Sequence, residues 1–453
     1  MKVFNNLTRK LEDFVPVNDN EVYFYSCGPT VYDVSHIGHA RSTITWDVLY
    51  RYLVYKGYKV QWIRNITNID DKIVARAKER GMSPDKLSRI YTYEFWHDMV
   101  SLNVSFPEYE PRATDYLPEM FEFIQGLIDK GSAYESNGDV YFRVKTHAHY
   151  GQLKGQTLEQ LRDGEARVDT NTKKEDRLDF ALWKSFPDSP ETSFKSPWSV
   201  GRPGWHLECS TMIKSILDTN NAGDTLDIHA GGDDLVHPHH ENECAQSECF
   251  TGKPLAKYWM HNGMVMVNGS KMSKSEGNFF TIKDLLAEFK PNTIRYFCLS
   301  THYKKQINFS REALAAAETG FDKLCSTLKS ESKKLNDSDL DQNLIDKFNA
   351  AMDDDLNTAR ALAVIFEHKD STQTVAYLLG VLGFDLTVSH AHGGSSDTKV
   401  NEALNSVMDL LLDLRAQARV NKDFATGDKI RDGLGKAGLT IKDHRDQPSE
   451  WSL

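Results

Sequence analysis

The sequence contains no long hydrophobic run, few cysteines and no excess of positive charge. No stretch of its 453 residues approaches the roughly 18 apolar residues of a membrane span, and the first ten residues contain no apolar run. Six cysteines in so long a chain make no disulfide framework, so they are expected to be core thiols, catalysts or metal ligands in a reducing compartment. These absences predict a cytoplasmic protein without a membrane segment.

The net charge of −11 argues against a protein that coats nucleic acid nonspecifically. It still allows a local basic face that binds one folded RNA. Hydrophobic residues make up 40% of the chain, which is enough for a sizeable core, and the length predicts several domains.

The stretch from Tyr25 to Arg41, YSCGPTVYDVSHIGHAR, predicts a turn between a strand and a helix. Alternating aromatic residues precede it, and apolar residues at helical spacing follow it. Gly28 and Gly38 allow the backbone to approach a ligand closely, and the start of the helix would offer free N–H groups to an anion. His36 and His39 lie at the same turn. Considered alone, this pattern is also typical of a tight turn with surface histidines.

A second strand at 58–66 and a helix at 70–80 follow, and this order predicts a parallel sheet. Another strand–turn–helix unit is predicted further along, with a strand at 225–229, a glycine turn at AGGDDL and a helix that begins at PHHENE with proline in its first turn. Between the two units, Asn137-Gly138 predicts a hairpin. The polar, lysine-rich stretch after that hairpin shows little periodicity and predicts an insertion into the sheet domain.

A strand is predicted at 258–267, and beyond residue 310 amphipathic patterns predict helices at 310–335, 340–369 and 373–383. A Gly/Ser linker at 393–396 and a last helix at 400–420 are predicted to follow.

Four residues have metal-ligand character. In PHHENE, His239 and Glu243 are four residues apart and would share one helix face, where two donor atoms can meet one ion. Cys27 and Cys209, each at the end of a strand or the start of a helix, would complete a sulfur, nitrogen and oxygen set that suits zinc. His240 is a competing ligand. The same residues also fit core thiols and a surface pair, so spacing alone leaves the zinc site open.

Taken together, the motifs closely resemble those of cysteinyl-tRNA synthetases, class I aminoacyl-tRNA synthetases with a Rossmann-type catalytic domain. The likeness covers nearly the whole chain and rests on CGPTVYDVSHIGHAR, NITNIDDKI, PRATD, DFALWK, GRPGWHLECS, PHHENE, KMSKS and MDDDLNT. The HIGH and KMSKS motifs mark class I synthetases generally. The cysteines in their contexts, together with PHHENE, mark the cysteine-specific branch.

The resemblance implies an α/β fold: a Rossmann-type parallel-sheet catalytic domain with an insertion, followed by a C-terminal α-helical bundle and a small anticodon-binding tail. The implied parts are the first half of the catalytic domain at 1–115, an inserted connective subdomain at 116–195, the second half of the catalytic domain at 196–257, a KMSKS-bearing stem-contact region at 258–309, a helical tRNA-contacting bundle at 310–390 and an anticodon-binding region at 398–453.

The resemblance also implies one zinc ion per chain, which binds the thiol of the substrate L-cysteine. The implied ligands are Cys27, Cys209, His239 and Glu243. Coordination stabilises a thiolate, whereas a hydroxyl is far harder to ionise, so serine would be rejected by chemistry and no editing domain would be needed. Trp205 would wall the side-chain pocket, with Thr67 near it.

The remaining motifs would serve ATP with Mg²⁺, because activation of a carboxylate at phosphorus needs positioning and charge neutralisation more than covalent groups. The implied catalytic residues are His36, His39, Lys271 and Lys274. The implied ATP-binding residues are Gly38, Gly231, Gly232, Asp234 and Lys274. The partners implied are ATP, L-cysteine and tRNA(Cys), and the implied oligomeric state is a monomer.

The chain departs from the family pattern at a few positions. Ala230 replaces the first of three glycines usual after DIH, Ser199 replaces the glycine usual after PW, and Asn68 replaces the aspartate usual after NIT. The C-terminal stretch also lacks the Gly-Thr usual before the final tryptophan. At these positions the roles of the family's residues are not assigned to this chain, above all the anticodon contacts.

Two alternatives differ in what happens to cysteine. An amide-forming cysteine ligase of the same superfamily would pass activated cysteine to an amino sugar, but such enzymes lack a full C-terminal anticodon module. A catalytically silent, zinc-containing RNA-binding paralogue would be expected to have lost the paired histidines or Lys274, and all three are present.

Overall fold

The computed structural model describes residues 1–164, 173–189, 192–267, 269–271, 278–328, 340–386, 423–436, 440–442 and 450–452, together with residues 411, 412, 415 and 418. The chain forms two compact units, Met1–Ser389 and His390–Leu453, and each is described by itself.

The strands of the described residues are β1 (Lys2–Asn5), β2 (Lys10–Asp13), β3 (Glu21–Ser26), β4 (Lys59–Arg64), β5 (Ala133–Ser136), β6 (Asp139–Phe142), β7 (Phe180–Ser185), β8 (Phe194–Lys195), β9 (Val200–Pro203), β10 (Leu226–Gly232), β11 (Ala256–Asn262), β12 (Val265–Val267), β13 (Ser270–Lys271), β14 (Ile307–Phe309), β15 (Thr440–Lys442) and β16 (Glu450–Ser452). The α-helices are α1 (Ile37–Tyr55), α2 (Asp71–Glu79), α3 (Pro84–Ser101), α4 (Leu117–Asp129), α5 (Leu158–Gly164), α6 (Trp205–Thr219), α7 (Glu241–Thr251), α8 (Ile282–Glu288), α9 (Pro291–Leu299), α10 (Arg311–Leu328), α11 (Gln342–Met352), α12 (Thr358–Glu367), α13 (Thr372–Val381) and α14 (Phe424–Lys436).

A four-stranded parallel sheet in the order β11-β10-β3-β4 forms the centre of the first unit. Five of the six residues of β3 are buried, as expected for a parallel strand covered on both faces. Phe24 stacks on Trp62 of β4 and meets Trp46 of α1 edge-on, so the sheet and α1 share one core. The predicted α/β class with a parallel sheet is confirmed.

Residues between 133 and 203 form a separate antiparallel sheet in the order β5-β6-β7-β9-β8, which includes β9 beyond the predicted end of the insertion at 195. Asn137 and Gly138 have φ of 51° and 80°, which is the geometry that an Asn-Gly hairpin turn requires, and the hairpin prediction is confirmed. Sequence reasoning missed α5 and β7 in the lysine-rich stretch. The reason is that β7 pairs with β6 about forty residues earlier, and only that long-range pairing explains its burial.

Three local predictions were wrong. Gly231 and Gly232 lie within β10 instead of a glycine turn, because the strand runs three residues beyond the predicted end. The regular helix after it begins at Glu241 and not at the proline, since His237 is extended (φ −140°, ψ 132°) and residues 236–240 form a separate turn. The strand predicted to reach residue 267 is divided at 263–264 into β11 and β12.

Helices α10 to α13 follow the sheet domain, and several of them pack against α1 and α9. The run predicted as one helix at 340–369 is two helices, because Asp355 and Leu356 between them have φ of 57° and 53°. In the second unit, α14 is followed by the antiparallel pair β15-β16. The predicted linker at 393–396 and most of the predicted helix at 400–420 lie outside the described residues. Among the described helices, none combines the length and the hydropathy that a bilayer crossing requires.

Candidate active site

Four side chains of the first unit meet near the carboxyl ends of β3 and β10. The donor atoms of Cys27, Cys209, His239 and Glu243 all lie within 4.8 Å of one another. His239 Nε2 lies 2.9 Å from Glu243 Oε1 and 3.6 Å from Cys209 Sγ, and Cys27 Sγ lies 3.9 Å from the same carboxylate oxygen. We call these four residues the pocket group. They are the four that the sequence indicated as metal ligands.

Local structure explains why these side chains converge. Cys27 directly follows β3, while Cys209 and Glu243 lie near the starts of α6 and α7, two helices that pack against each other. After Cys27 the chain needs glycine, because a Cβ on Gly28 would stand 1.6 Å from the carbonyl oxygen of Asn65. The close approach of the β3 and β4 ends thus fixes where the first sulfur lies.

A second, overlapping set of donors surrounds the same carboxylate. His229 Nε2 lies 2.8 Å from Glu243 Oε2, and His240 Nε2 lies 3.2 Å from Cys27 Sγ. Cys27, His229, His240 and Glu243 also lie within 4.8 Å of one another. His240 was the competing ligand indicated by the sequence, and the structure brings it to the site as well. Only the pocket group contains both sulfurs.

The charges of the pocket group favour a bound cation. Burial by itself would raise the pKa of Glu243, but His239 and His229 lower that pKa to about 2. Burial opposes protonation of His239, yet Glu243 and Cys209 raise the pKa of His239 to about 10. Burial, together with Cys209 and Glu243, raises the pKa of the Cys27 thiol well above its usual range. A divalent cation would neutralise this cluster of acidic donors more fully than one protonated imidazole does, so the donor set fits a metal such as zinc.

The predicted substrate residues lie beside the pocket group. Trp205 stacks on His239 with ring centroids 3.9 Å apart and an interplanar angle of 19°, and the indole is 38% exposed. Thr67 is buried, and its hydroxyl donates to Glu208 Oε2 at 3.0 Å. The cleft next to them is lined by Ile69, Asp70, Asp71, Lys184, Phe186, Arg202, Pro203, Trp205 and Glu208.

The start of α1 differs from the expectation in one respect. His36 caps the helix: its Nδ1 accepts from the N–H groups of Gly38 and His39 at 3.1 and 3.3 Å, and His39 Nδ1 accepts from the His36 N–H at 3.1 Å. The two rings stack at 3.8 Å. Burial lowers the pKa of His39 to about 4, so this imidazole is neutral at physiological pH. The prediction that these N–H groups are free for an anion was therefore wrong.

The predicted nucleotide residues are only partly described. The N–H of Ile37 donates to Phe280 O at 3.1 Å, and that of Ile282 donates to Ser35 O at 3.0 Å, so the segment following KMSKS lies against the start of α1. Lys274 and the side chain of Lys271 lie outside the described residues.

Three of the predicted ATP-binding residues, Gly231, Gly232 and Asp234, lie at the end of β10 or just after it. A Cβ on Gly231 would lie 2.7 Å from His240 Cε1, so a glycine is needed here for His240 to pack against the strand. A Cβ on Gly232 would lie 2.5 Å from Asp234 Oδ1, and Asp234 itself is exposed.

Comparisons with known proteins agree with this geometry. The family model described as "tRNA synthetases class I (C) catalytic domain" matches residues 13–319, and the DALR domain matches residues 347–377. Cysteine–tRNA ligase of Prochlorococcus marinus (strain NATL1A) is 43% identical over 504 residues, covering 100% of this chain and 99% of the relative. The chain belongs to the cysteine–tRNA ligase family.

Two further relatives extend the comparison. Cysteine–tRNA ligase of Maridesulfovibrio salexigens is 41% identical with full coverage of both chains, and that of Streptococcus agalactiae serotype III is 44% identical over 98% of each. Family membership makes the chain a class I aminoacyl-tRNA synthetase.

Solved structures of other synthetases show the same fold. Mycobacterium tuberculosis methionyl-tRNA synthetase bound by methionyl-adenylate gives a TM-score of 0.58 at 17% identity and covers 80% of this chain and 84% of that one. The ternary complex of Agrobacterium radiobacter K84 agnB2 LeuRS gives a TM-score of 0.56 at 13% identity, with 82% and 84% covered. These likenesses concern the fold.

Sequence reasoning missed several groups around the site. His206 Nδ1 lies 2.9 Å from His239 Nδ1, and His229 holds the second oxygen of Glu243. Asn65 connects the segments that follow β3 and β4, because its side chain accepts the Gly28 N–H and donates to the Thr67 hydroxyl. One signal was available: a histidine between apolar neighbours in a predicted strand, as His229 is between Ile228 and Ala230, must find a buried partner.

Proposed function

We propose that the chain activates L-cysteine with ATP and transfers it to tRNA(Cys), and that a zinc ion held by Cys27, Cys209, His239 and Glu243 selects cysteine by its thiol. The observation that carries this proposal is that two thiols, an imidazole and a carboxylate, all buried except the half-buried Cys27, lie within 4.8 Å of one another beside a cleft lined by Trp205. Family membership supports the reaction, and the donor set supports the means of selection.

When bound, zinc would stabilise the thiolate of substrate cysteine, which has a free pKa of about 8.5, and would not do the same for the far less acidic hydroxyl of serine. An apolar pocket separates such near-isosteres by only about a hundredfold. Selection through one sulfur atom therefore removes the need for an editing step.

The chain's own residues would orient this site. Trp205 covers one face of His239 and His206 contacts its Nδ1, which leaves Nε2 directed toward Cys209 and Glu243. Partners of this kind fix the tautomer and the ring orientation of a metal ligand. Thr67, held between Asn65 and Glu208, would contact the substrate next to the metal.

At the start of α1, neutral His39 and capping His36 would face ATP, which would be bound together with Mg²⁺. The chemistry requires the cysteine carboxylate to attack the α-phosphate, with release of pyrophosphate, and a tRNA ribose hydroxyl then to take the acyl group with release of AMP. Lys271 and Lys274 would neutralise charge that develops on the pyrophosphate in the first step. Gly38, Gly231, Gly232 and Asp234 would hold the nucleotide.

The helical part that matches the DALR domain, together with the second unit, would bind tRNA. Neither contains a residue that we assign to cysteine or ATP. tRNA binding is therefore expected to be separable from adenylate formation.

The test is aminoacylation of total tRNA with each of the twenty amino acids. Charging with cysteine alone is expected, together with cysteine-dependent exchange of pyrophosphate into ATP. Exchange without any tRNA charging would favour transfer of cysteine to an amino sugar instead. Absence of both reactions from folded, zinc-loaded protein would refute the proposal.

The role of Lys274 has its own test. Lys274→Ala should slow adenylate formation by about 100-fold while changing the affinity for cysteine much less, because its charge acts in the transition state. Pre-steady-state adenylate formation and equilibrium cysteine binding would separate the two effects. Equal losses in both would count against a transition-state role.

A further inference from the structure

Helix α7 carries a second group of donor side chains, which begins at Cys244, the residue directly after Glu243. Cys244 and Glu248 are four residues apart on α7, and both face His147 of the inserted segment. One donor atom from each of these three residues lies within 4.8 Å of the others. Residues 147–154 lie along α7, and we call this stretch the strap. We call His147, Cys244 and Glu248 the strap group.

The strap is held on α7 by contacts that do not involve these donors. Glu241 accepts the N–H groups of Gly151, Leu153 and Lys154 at 2.7, 3.0 and 3.1 Å. The Tyr150 hydroxyl donates to Asn242 Oδ1 at 2.5 Å. His147 is therefore brought to the second turn of α7 by an independently anchored loop, so the three donors are preorganised.

The distances within the strap group are close to those of a metal centre. His147 Nε2 lies 3.0 Å from Glu248 Oε2, and Cys244 Sγ lies 3.2 Å from Glu248 Oε1. Ligand atoms of a tetrahedral zinc site with ordinary bond lengths are about 3.4–3.6 Å apart, so the two contacts of Glu248 would lengthen by a few tenths of an ångström. The donors of His147 and Cys244, which lie within 4.8 Å of each other, would adjust to the same separation. Gln152 Nε2 donates to Cys244 Sγ at 3.5 Å, and a half-turn of this amide would present its oxygen to the same group as a fourth ligand.

The burial of the strap group and the charges of its side chains also favour a bound cation. Cys244 is fully buried, and His147 is 5% exposed. A divalent cation here would displace the thiol proton of Cys244 to solvent. The thiolate, the carboxylate and the dication would then sum to zero charge, which suits a buried site.

We propose that the strap group binds a second divalent cation, of the zinc class, that ties the inserted segment to the helix bearing Glu243. Nitrogen, sulfur and oxygen donors together favour zinc over magnesium or calcium. Three protein ligands with the Gln152 amide as a fourth make a closed, structural site. The native chain would then hold two zinc ions, one more than the sequence implies.

The experiment counts metal in the full-length chain and does not depend on catalysis. Protein equilibrated with zinc and dialysed against a weak chelator should retain two zinc ions per chain by elemental analysis. Glu248→Gln and His147→Gln should each retain one, and Cys209→Ser should also retain one, but at the other site. His149→Gln is the matched control, since His149 is an exposed histidine of the same strap outside any donor group, and it should retain two.

Cadmium-113 NMR of the exchanged protein identifies which ion is lost. Two resonances are expected, the pocket group at higher frequency because it has two sulfur donors, and Glu248→Gln should remove only the other. Glu248 is partly exposed, so this variant is expected to fold even if His147→Gln does not. A single zinc ion in native protein, or two ions in both strap variants, would overturn the proposal and leave the strap group as a hydrogen-bonded cluster.

Discussion

The pocket group and the strap group take adjacent residues of α7, Glu243 and Cys244, use the same residue types and differ in what surrounds them. The pocket group has two sulfurs, borders the cleft beside Trp205 and is contacted by further histidines. The strap group has one sulfur and is covered by a loop whose backbone is hydrogen-bonded to Glu241. Catalytic metal sites keep a position open for substrate, whereas structural sites are closed. If both proposals hold, access more than donor chemistry separates the proposed substrate-selecting site from the proposed structural one.

The largest expected effect comes from removing a sulfur of the pocket group. Cys209→Ser should lower cysteine-dependent pyrophosphate exchange by more than about 100-fold, since even loss of a supporting partner costs 10–100-fold in metal sites. Cys249→Ser, outside any donor group among the described residues, is the control and should behave as native. If Cys209→Ser kept its metal and its exchange rate, the pocket group would not be the substrate-selecting site.

A smaller effect is expected when a supporting histidine is changed. His229→Gln removes the 2.8 Å contact with Glu243 Oε2 and should weaken zinc affinity of the pocket group by about 10–100-fold. The strap group should keep its affinity, because His229 contacts none of its members. Competition with a chromophoric chelator would resolve the two affinities. Equal weakening of both would mean that the groups form one coupled unit.

The sequence predicted the elements of the pocket group better than its surroundings. Cys27, Cys209, His239 and Glu243 could be selected because motif and ligand chemistry coincide at those positions. His206 and His229 were missed because their importance lies in contacts with other ligands, and such contacts depend on how α6, α7 and β10 pack. The strap group was out of reach for the same reason: His147 and Cys244 are almost one hundred residues apart, and no spacing rule joins them.

Fold prediction succeeded where the signal was local. Alternation and helical periodicity located β3, β4 and α1, and Asn137-Gly138 fixed a hairpin. It failed at β7, where the signal is a long-range strand pair, and at Asp355 and Leu356, whose positive φ interrupts an otherwise continuous amphipathic pattern. The free N–H groups expected at the start of α1 were replaced by a histidine cap, which helix propensities do not anticipate.

A third test concerns the cleft beside the pocket group. The strap group has no such cleft among the described residues. Thr67→Val removes a hydroxyl that links Asn65 and Glu208, and it should raise the KM for cysteine by about tenfold, or roughly 1.4 kcal/mol, with zinc content unchanged. Thr92→Val, a buried threonine on α3, is the control. Loss of zinc together with cysteine affinity would show that Thr67 supports the metal site and does not contact the substrate.

The smallest expected effect tests whether the strap determines the cation affinity of the strap group. Tyr150→Phe deletes the hydrogen bond to Asn242 Oδ1 and leaves a buried acceptor, at a cost of about 1 kcal/mol. Because Glu241 still anchors three backbone N–H groups, the strap should loosen without detaching, and cation affinity of the strap group should fall by about fivefold. Zinc at the pocket group and cysteine-dependent exchange should stay at native levels, since no pocket ligand lies on the strap. Tyr134→Phe, on β5 and outside the strap, removes a comparable hydrogen bond from the Tyr134 hydroxyl to Asp179 and controls for a general loss of stability. If Tyr150→Phe weakened both metal affinities equally, Asn242 would be acting through the adjacent Glu243. Cation binding at the two groups would then be coupled, and the groups would differ only in their access to solvent.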